Sequence, residues 1–172
     1  LDLLHWFLGP VKEVYAQWDN INHPYIEVED SAVAVVRFES GAMASILVSN
    51  SQKPGIHAKV HVHGSSAYSV GVQTDGGAMF IAGRSGILEP PVNDLWTIEG
   101  EQQNLSRWKE ENTAFFGSID AVAYFFTKQQ EHFAQAILGK EKLISSGEEG
   151  RETVKLIEGM YRSQKDGRPI RY

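Results

Sequence analysis

The sequence contains no cysteine, which excludes disulfide bonds and thiolate-bound metal. Such an absence suits cytosol and periplasm alike, so the cytoplasm is only the default compartment. No apolar run approaches the roughly 20 residues of a membrane-spanning helix, and no membrane partner is expected. Positive charge is in short supply: 16 Lys and Arg stand against 22 Asp and Glu, for a formal net charge of -6 and a pI near 5.5. Nucleic-acid binders concentrate basic residues on one face, so nucleic acid is not an expected partner. Nucleotide-binding glycine motifs are missing too. Neither G-x-x-x-x-G-K-[ST] nor G-x-G-x-x-G occurs, and Gly64-Ser65-Ser66 resembles neither, so no cofactor-binding residue is assigned in this chain.

The start of a first helix is also missing. Leu1-Asp2-Leu3-Leu4-His5-Trp6-Phe7-Leu8-Gly9 has the pattern of an amphipathic helix ending on glycine, with neither an initiator Met nor an obvious N-cap. Helices normally open on Ser, Thr, Asp or Asn, and Asp2 is the sole candidate. The expectation is that the chain begins inside a longer protein whose preceding segment supplies the helix start.

What is present fits one domain over residues 1–172: 42% of residues are hydrophobic and 22% charged, enough for a core. Val11 to Trp18 reads as a strand that closes at Asn20, Asn22 and Pro24. Ser31 to Glu39 and Ala42 to Asn50 form a hairpin about Ser40-Gly41. Apolar residues occupy both faces of its first strand, Ala32, Ala34, Val36 and Phe38 on one and Val33 and Val35 on the other. Helices of the same chain can cover one face, and another subunit the other. His57 to His63 is a further strand; Ala78 to Ala82 and Leu95 to Ile98 are shorter ones within a Gly- and Pro-punctuated region.

Helical spacing follows. Val122, Phe126, Gln129, Phe133 and Ala136 or Ile137 predict a helix over Ile119 to Leu138 whose stripe faces the sheet. Ser146 and Glu149 form a capping box for a second helix with a Val154, Ile157, Met160 and Tyr161 stripe, ending before Gly167. Arg168 to Tyr172 closes as a short strand. One helix, many strands, two helices and a strand make an α+β fold: a largely antiparallel open sheet with helices on one face.

Few residues are candidates for chemistry. Asp2 and His5, three apart on a helix, share a face and can both reach a polar ligand; Asp2 is equally a displaced N-cap, and for His5 beside Trp6 a half-buried core histidine is the preferred reading from the residues alone. His57, His61 and His63 form an H-x3-H-x-H cluster able to hold an ion, but no carboxylate or cysteine sits at ligand spacing. The preferred reading is a polar strand face, and no metal is expected. Glu29-Asp30 is either a carboxylate pair for acid–base work or, as preferred, a solvated lead-in to the hairpin.

In order and spacing, LDLLHWFLGPVKEVYA at 1–16, VEDSAVAVVRFESGAMASILVSN at 28–50, VHVHGSSAYSV at 60–70 and HFAQAILGKEKLISSGEEGRETVKLIEGMYRSQKDGRPI at 132–170 resemble the C-terminal domain of the glucose–fructose oxidoreductase / inositol dehydrogenase / MocA (Gfo/Idh/MocA) family of NAD(P)-dependent oxidoreductases. The resemblance implies an α+β domain that follows a Rossmann domain, absent from this chain, which holds NAD or NADP. It implies hydride transfer to or from a sugar, polyol or related hydroxylated substrate, with a Lys and a motif His from the missing domain; this fragment alone is expected to be inactive and to bind no cofactor. Asp2 matches the last Asp of the family's D-x-x-x-H-x-x-D motif, which hydrogen-bonds a substrate hydroxyl; His5 is a second substrate-binding candidate. No catalytic residue is assigned in the fragment. The implied partners are that substrate, the Rossmann domain and further copies of the protein, meeting through the sheet face. The competing expectation is a non-catalytic interaction domain of the same fold.

Overall fold

The computed structural model describes residues 1–52, 58–74 and 92–172. The chain divides into two compact units, residues 1–52 with 143–172 and residues 53–142, and each is described by itself. The expected strand at Ala78 to Ala82 lies outside the described residues.

The first unit carries α1 (Asp2–Leu8), β1 (Val11–Asp19), β2 (Ser31–Phe38) and β3 (Met43–Ser49). Its sheet has the order β3-β2-β1-β7, all antiparallel, with β7 (Ile170–Arg171) on the β1 edge. The β2–β3 hairpin falls where the sequence pattern puts it, and Gly41 makes its turn at φ 89°, where a side chain would be strained. Alternation decides the burial. Val14 and Ala16 of β1, with Ala32, Ala34, Val36 and Phe38 of β2, point inward and are buried, while Val33 and Val35 point outward.

One long helix, Gly147–Asp166, covers the inner face. Ser146 caps it: its Oγ accepts the Glu149 N–H at 3.2 Å, and the Glu149 carboxylate accepts the Ser146 N–H at 2.6 Å, the reciprocal capping box its sequence predicts. Gly167, in the left-handed region at φ 65°, ends it. The buried face, however, is Leu156, Gly159, Met160 and Ser163; of the predicted Val154, Ile157, Met160 and Tyr161 only Met160 is buried. Val154 is 64% exposed. The physical reason is close approach: Gly159 and Ser163 let the helix lie near the strands, and Ser163 Oγ accepts the Ala16 N–H at 3.1 Å while donating to the Arg168 carbonyl at 2.9 Å. A search for large apolar residues passes over both positions.

The second unit holds β4 (Ala58–His63), β5 (Ser69–Thr74) and β6 (Val92–Trp96), an antiparallel sheet in that order. A helix that the sequence reading lacks, α2 (Asn104–Gly117), packs on β6, with Trp108 edge-on to Trp96 at 4.6 Å between ring centres. It has no side-chain N-cap, and its half-buried residues, Asn104, Leu105, Trp108, Asn112 and Phe116, include only three apolar ones. The next helix, α3 (Ala121–Ile137), begins on Asp120, whose carboxylate accepts the Ala123 N–H at 3.0 Å. Its predicted stripe does not face the sheet: Phe126, Phe133 and Ile137 are 59%, 56% and 70% exposed. It is α2 that supplies the helix packed on β6. The long helix of the first unit is α4. Three helices thus follow the strands where two were expected, and the α+β, largely antiparallel architecture stands.

Candidate functional site

Helix α1 carries both predicted binding residues. Leu4 and Leu8 pack against the core of the first unit, which fixes the helix and turns its other sides outward. Asp2 lies in the first turn, exposed, and Leu1 takes the N-cap position with no side-chain cap hydrogen bond. Asp2 is therefore not the cap, and its carboxylate is uncommitted to the helix backbone. His5, one turn on, is half-buried, and its Nε2 is enclosed without a hydrogen bond. An enclosed ring nitrogen without a partner costs about 1–3 kcal/mol. Trp6 and Phe7 are 77% and 53% exposed and stack on each other at 5.6 Å. A helix of seven residues thus shows a carboxylate and two large aromatic rings to its surroundings.

Asp30 is not a solvated lead-in to the hairpin. It is 5% exposed and accepts the Ile21 N–H at 3.0 Å, the Asn22 N–H at 2.7 Å and a bond from His23 Nδ1 at 2.8 Å. Burial opposes its ionisation, but the bonds from Asn22, Ile21, His23 and Ser31 outweigh this and hold its carboxyl well below the usual carboxylate range. Asn20 completes the loop, donating from Nδ2 to the carbonyls of His23, Ile26 and Val28 at 2.8, 3.0 and 3.1 Å. Glu29 accepts the Tyr161 hydroxyl instead of acting with Asp30. The carboxylate pair is split between two tasks, and Asp30 has the geometry of a loop anchor.

The histidine strand gains a partner that local spacing cannot reveal. Asp94, 31 residues beyond His63 in the chain, stands beside β4 because β5 pairs with both β4 and β6. It meets His61 Nε2 at 2.9 Å and Lys59 Nζ at 3.0 Å. Burial works against its charge, and Lys59 and His61 together lower its carboxyl all the same. Gly71 lies between: a Cβ there would stand 2.9 Å from both Asp94 Oδ1 and His61 Nε2, so only glycine leaves room for the pair. His63 instead meets Ser69 Oγ at 2.9 Å. Among the described residues no group of three or more His, Cys, Asp or Glu side chains is placed to hold a metal ion; His57 lies outside them. Asp94 sits at the irregularity between the Gly71–Leu95 and Val72–Asn93 pairs of β5 and β6, a place legible only once both strands and their register are known.

Residues 1–69, which include α1 and the hairpin, match the sequence model of the GFO/IDH/MocA C-terminal domain. The match bears out the resemblance read in the sequence. The architecture of the chain is that of the C-terminal domain of Gfo/Idh/MocA oxidoreductases. Solved structures with this fold include the WlbA dehydrogenase of Bordetella pertussis in complex with NADH and UDP-GlcNAcA, 24% identical, with a TM-score of 0.75 over 99% of this chain and 44% of that one. The aldose-aldose oxidoreductase of Caulobacter crescentus complexed with glycerol is 19% identical, with a TM-score of 0.63 over 99% and 44% of the two chains. A putative myo-inositol dehydrogenase of Sinorhizobium meliloti is 17% identical, with a TM-score of 0.60 over 99% and 46%. At these identities the likeness is one of fold, and this chain spans less than half the length of each.

Proposed function

We propose that this chain is the substrate-binding and oligomerisation part of an NAD(P)-dependent oxidoreductase acting on a sugar, polyol or related hydroxylated compound. The observation that carries the reading is the exposed Asp2 carboxylate, which caps nothing, on a helix anchored through Leu4 and Leu8 inside the segment that matches the oxidoreductase family. In this reading the cofactor is held by a Rossmann domain outside this chain, as the family resemblance implies. There the nicotinamide supplies the hydride acceptor or donor. The residues of this chain do the positioning. Asp2 accepts a hydrogen bond from a substrate hydroxyl, and His5 gains a polar partner for its enclosed ring nitrogen once substrate or the neighbouring domain closes over α1. Trp6 and Phe7 form the apolar part of that contact.

The outward sheet face supports the oligomeric half of the proposal. Val33, Val35, Met43 and Leu47 lie on adjacent strands and are 49%, 56%, 64% and 64% exposed, an apolar patch of the kind that marks an interface. The competing reading, an assembly domain without catalysis, rests on this same patch.

The test is to assay the full-length protein with NAD⁺ and NADP⁺ against a panel of sugars and polyols. Turnover is expected, with Asp2→Asn raising KM by about tenfold through the loss of a charged hydrogen bond. Absence of both turnover and cofactor binding overturns the dehydrogenase reading in favour of the assembly domain. Light scattering on the same protein should give a dimer or larger, and a monomer at micromolar concentration would count against the sheet-face interface.

A further inference from the structure

The edge of the first sheet holds a second, unrelated feature. A cleft of about 440 Å³ is lined by Glu13, Arg162, Arg168, Pro169, Ile170 and Arg171. In a chain of formal net charge -6, three of six lining residues are arginines.

The backbone beneath them is fixed. Arg168 donates its N–H to the Ser163 carbonyl at 3.2 Å and accepts Ser163 Oγ at 2.9 Å, and Ser163 is fully buried. Ile170 is 4% exposed in the core, and Arg171 stands opposite Glu13 in the β1–β7 pairing. Arg168 and Arg171 therefore flank an anchored residue, and their guanidinium groups start from set positions.

Their acidic neighbours leave most of the donors open. Arg171 meets Glu13 through Nε at 2.7 Å, Arg168 meets Asp166 through one Nη at 3.4 Å, and Arg162 meets Glu158 at 3.8 Å. Each is a single contact on a side chain more than half exposed, worth little against solvent. A guanidinium has five N–H donors and a planar fork that matches phosphate oxygens. Compensation of the α4 C-terminus accounts for Arg162, and protection of a sheet edge for Arg171. Neither explains why three arginines line one cleft.

We propose that this cleft is a binding site for a small phosphate-bearing anion, held by Arg162, Arg168 and Arg171, with Glu13 as the competing internal carboxylate. The scarcity of positive charge that disfavours nucleic acid applies to an extended surface; here the charge is local and sized for a small molecule.

The experiment is calorimetric titration of the intact protein with inorganic pyrophosphate at low salt, with citrate as the carboxylate comparison. Pyrophosphate should bind more tightly than citrate, and affinity should fall as salt rises. The R168A/R171A double variant should weaken binding by about a hundredfold, roughly tenfold per charge-assisted contact. Glu13→Gln should tighten it by several-fold, a gain that misfolding cannot produce. Pyrophosphate binding unchanged in both variants belongs elsewhere on the protein and overturns the site. No detectable binding, or citrate bound as tightly as pyrophosphate, overturns it as well.

Discussion

The two units solve the problem of burial differently. In the first, a sheet face alternates cleanly and a single helix closes it, so that Val14, Val36, Phe38 and Leu156 are all within 1% of full burial. In the second, none of the described hydrophobic residues is fully buried, and the sheet instead spends its outer face on a Lys59, His61 and Asp94 cluster seated over Gly71. The difference teaches where stability resides. The first unit holds a core made within itself, and sequence changes there act through packing; in the second they act through a polar network and exposed rings.

The largest effect should come from the first unit's centre. Leu156→Ala removes a side chain 1% exposed beneath the sheet and should cost about 2–5 kcal/mol, read as a loss of midpoint in urea unfolding. A cost under 1 kcal/mol would mean that the first unit is no better packed than the second. Gly159→Ala comes next. Alanine alone would favour the helix by about 1 kcal/mol, but its Cβ would stand 2.9 Å from Tyr172 Cζ and 3.1 Å from Val14 Cγ1. Tyr172 is held there by its hydroxyl bond to the Lys155 carbonyl at 2.8 Å, and burial with the nearby Glu158 pushes the phenol up to about 12. Neither ring nor strand can yield cheaply, so the net should be destabilising by about 1–2 kcal/mol. A stabilised variant would show that α4 can lift off the sheet.

Asp30→Asn tests the loop that links β1 to β2. The folded carboxyl is depressed, so the unfolded chain takes up the proton first as pH falls. The stabilisation is therefore present above the unfolded carboxyl range, near pH 4, and is lost as pH drops toward the folded value. Asn keeps one acceptor and forfeits the charge; melting at pH 7 should fall by about 5 °C, with a shallower acid limb below pH 4. An acid limb identical to that of the unsubstituted protein would exclude Asp30 as its source. Asp94, also depressed, gives the same sign in the second unit, and Asp94→Asn tells the two apart.

What the sequence made legible follows the same division. The hairpin, the capping box at Ser146 and the left-handed Gly167 are local devices whose residues lie within a few positions of their partners, and all three are where the pattern puts them. The placement of Asp2 and His5 on one short helix is equally local. The inner face of α4 escaped because Gly159 and Ser163 contribute nearness and a hydroxyl rather than apolar bulk. Asp94 escaped because its partnership with His61 is made by strand order, 33 positions away in the chain. The α2 helix escaped because Gln103 gives no cap and polar or charged residues interrupt its apolar positions.

The smallest effect sharpens the comparison most. Phe133 sits in the C-terminal half of α3, apolar yet 56% exposed, on the stripe whose spacing predicts burial. If the second unit leaves that stripe in water, Phe133→Ala changes stability by no more than about 0.5 kcal/mol, since a surface ring forfeits little on truncation. If the ring is covered in the intact protein by a neighbouring domain or another copy, the same substitution should cost about 2 kcal/mol or more there. The measurement therefore runs on the intact protein and on this chain together. A small cost in both would leave α3 an exposed amphipathic helix; a cost large only in the intact protein would show that the second unit, unlike the first, completes its core with surface that the chain does not itself supply.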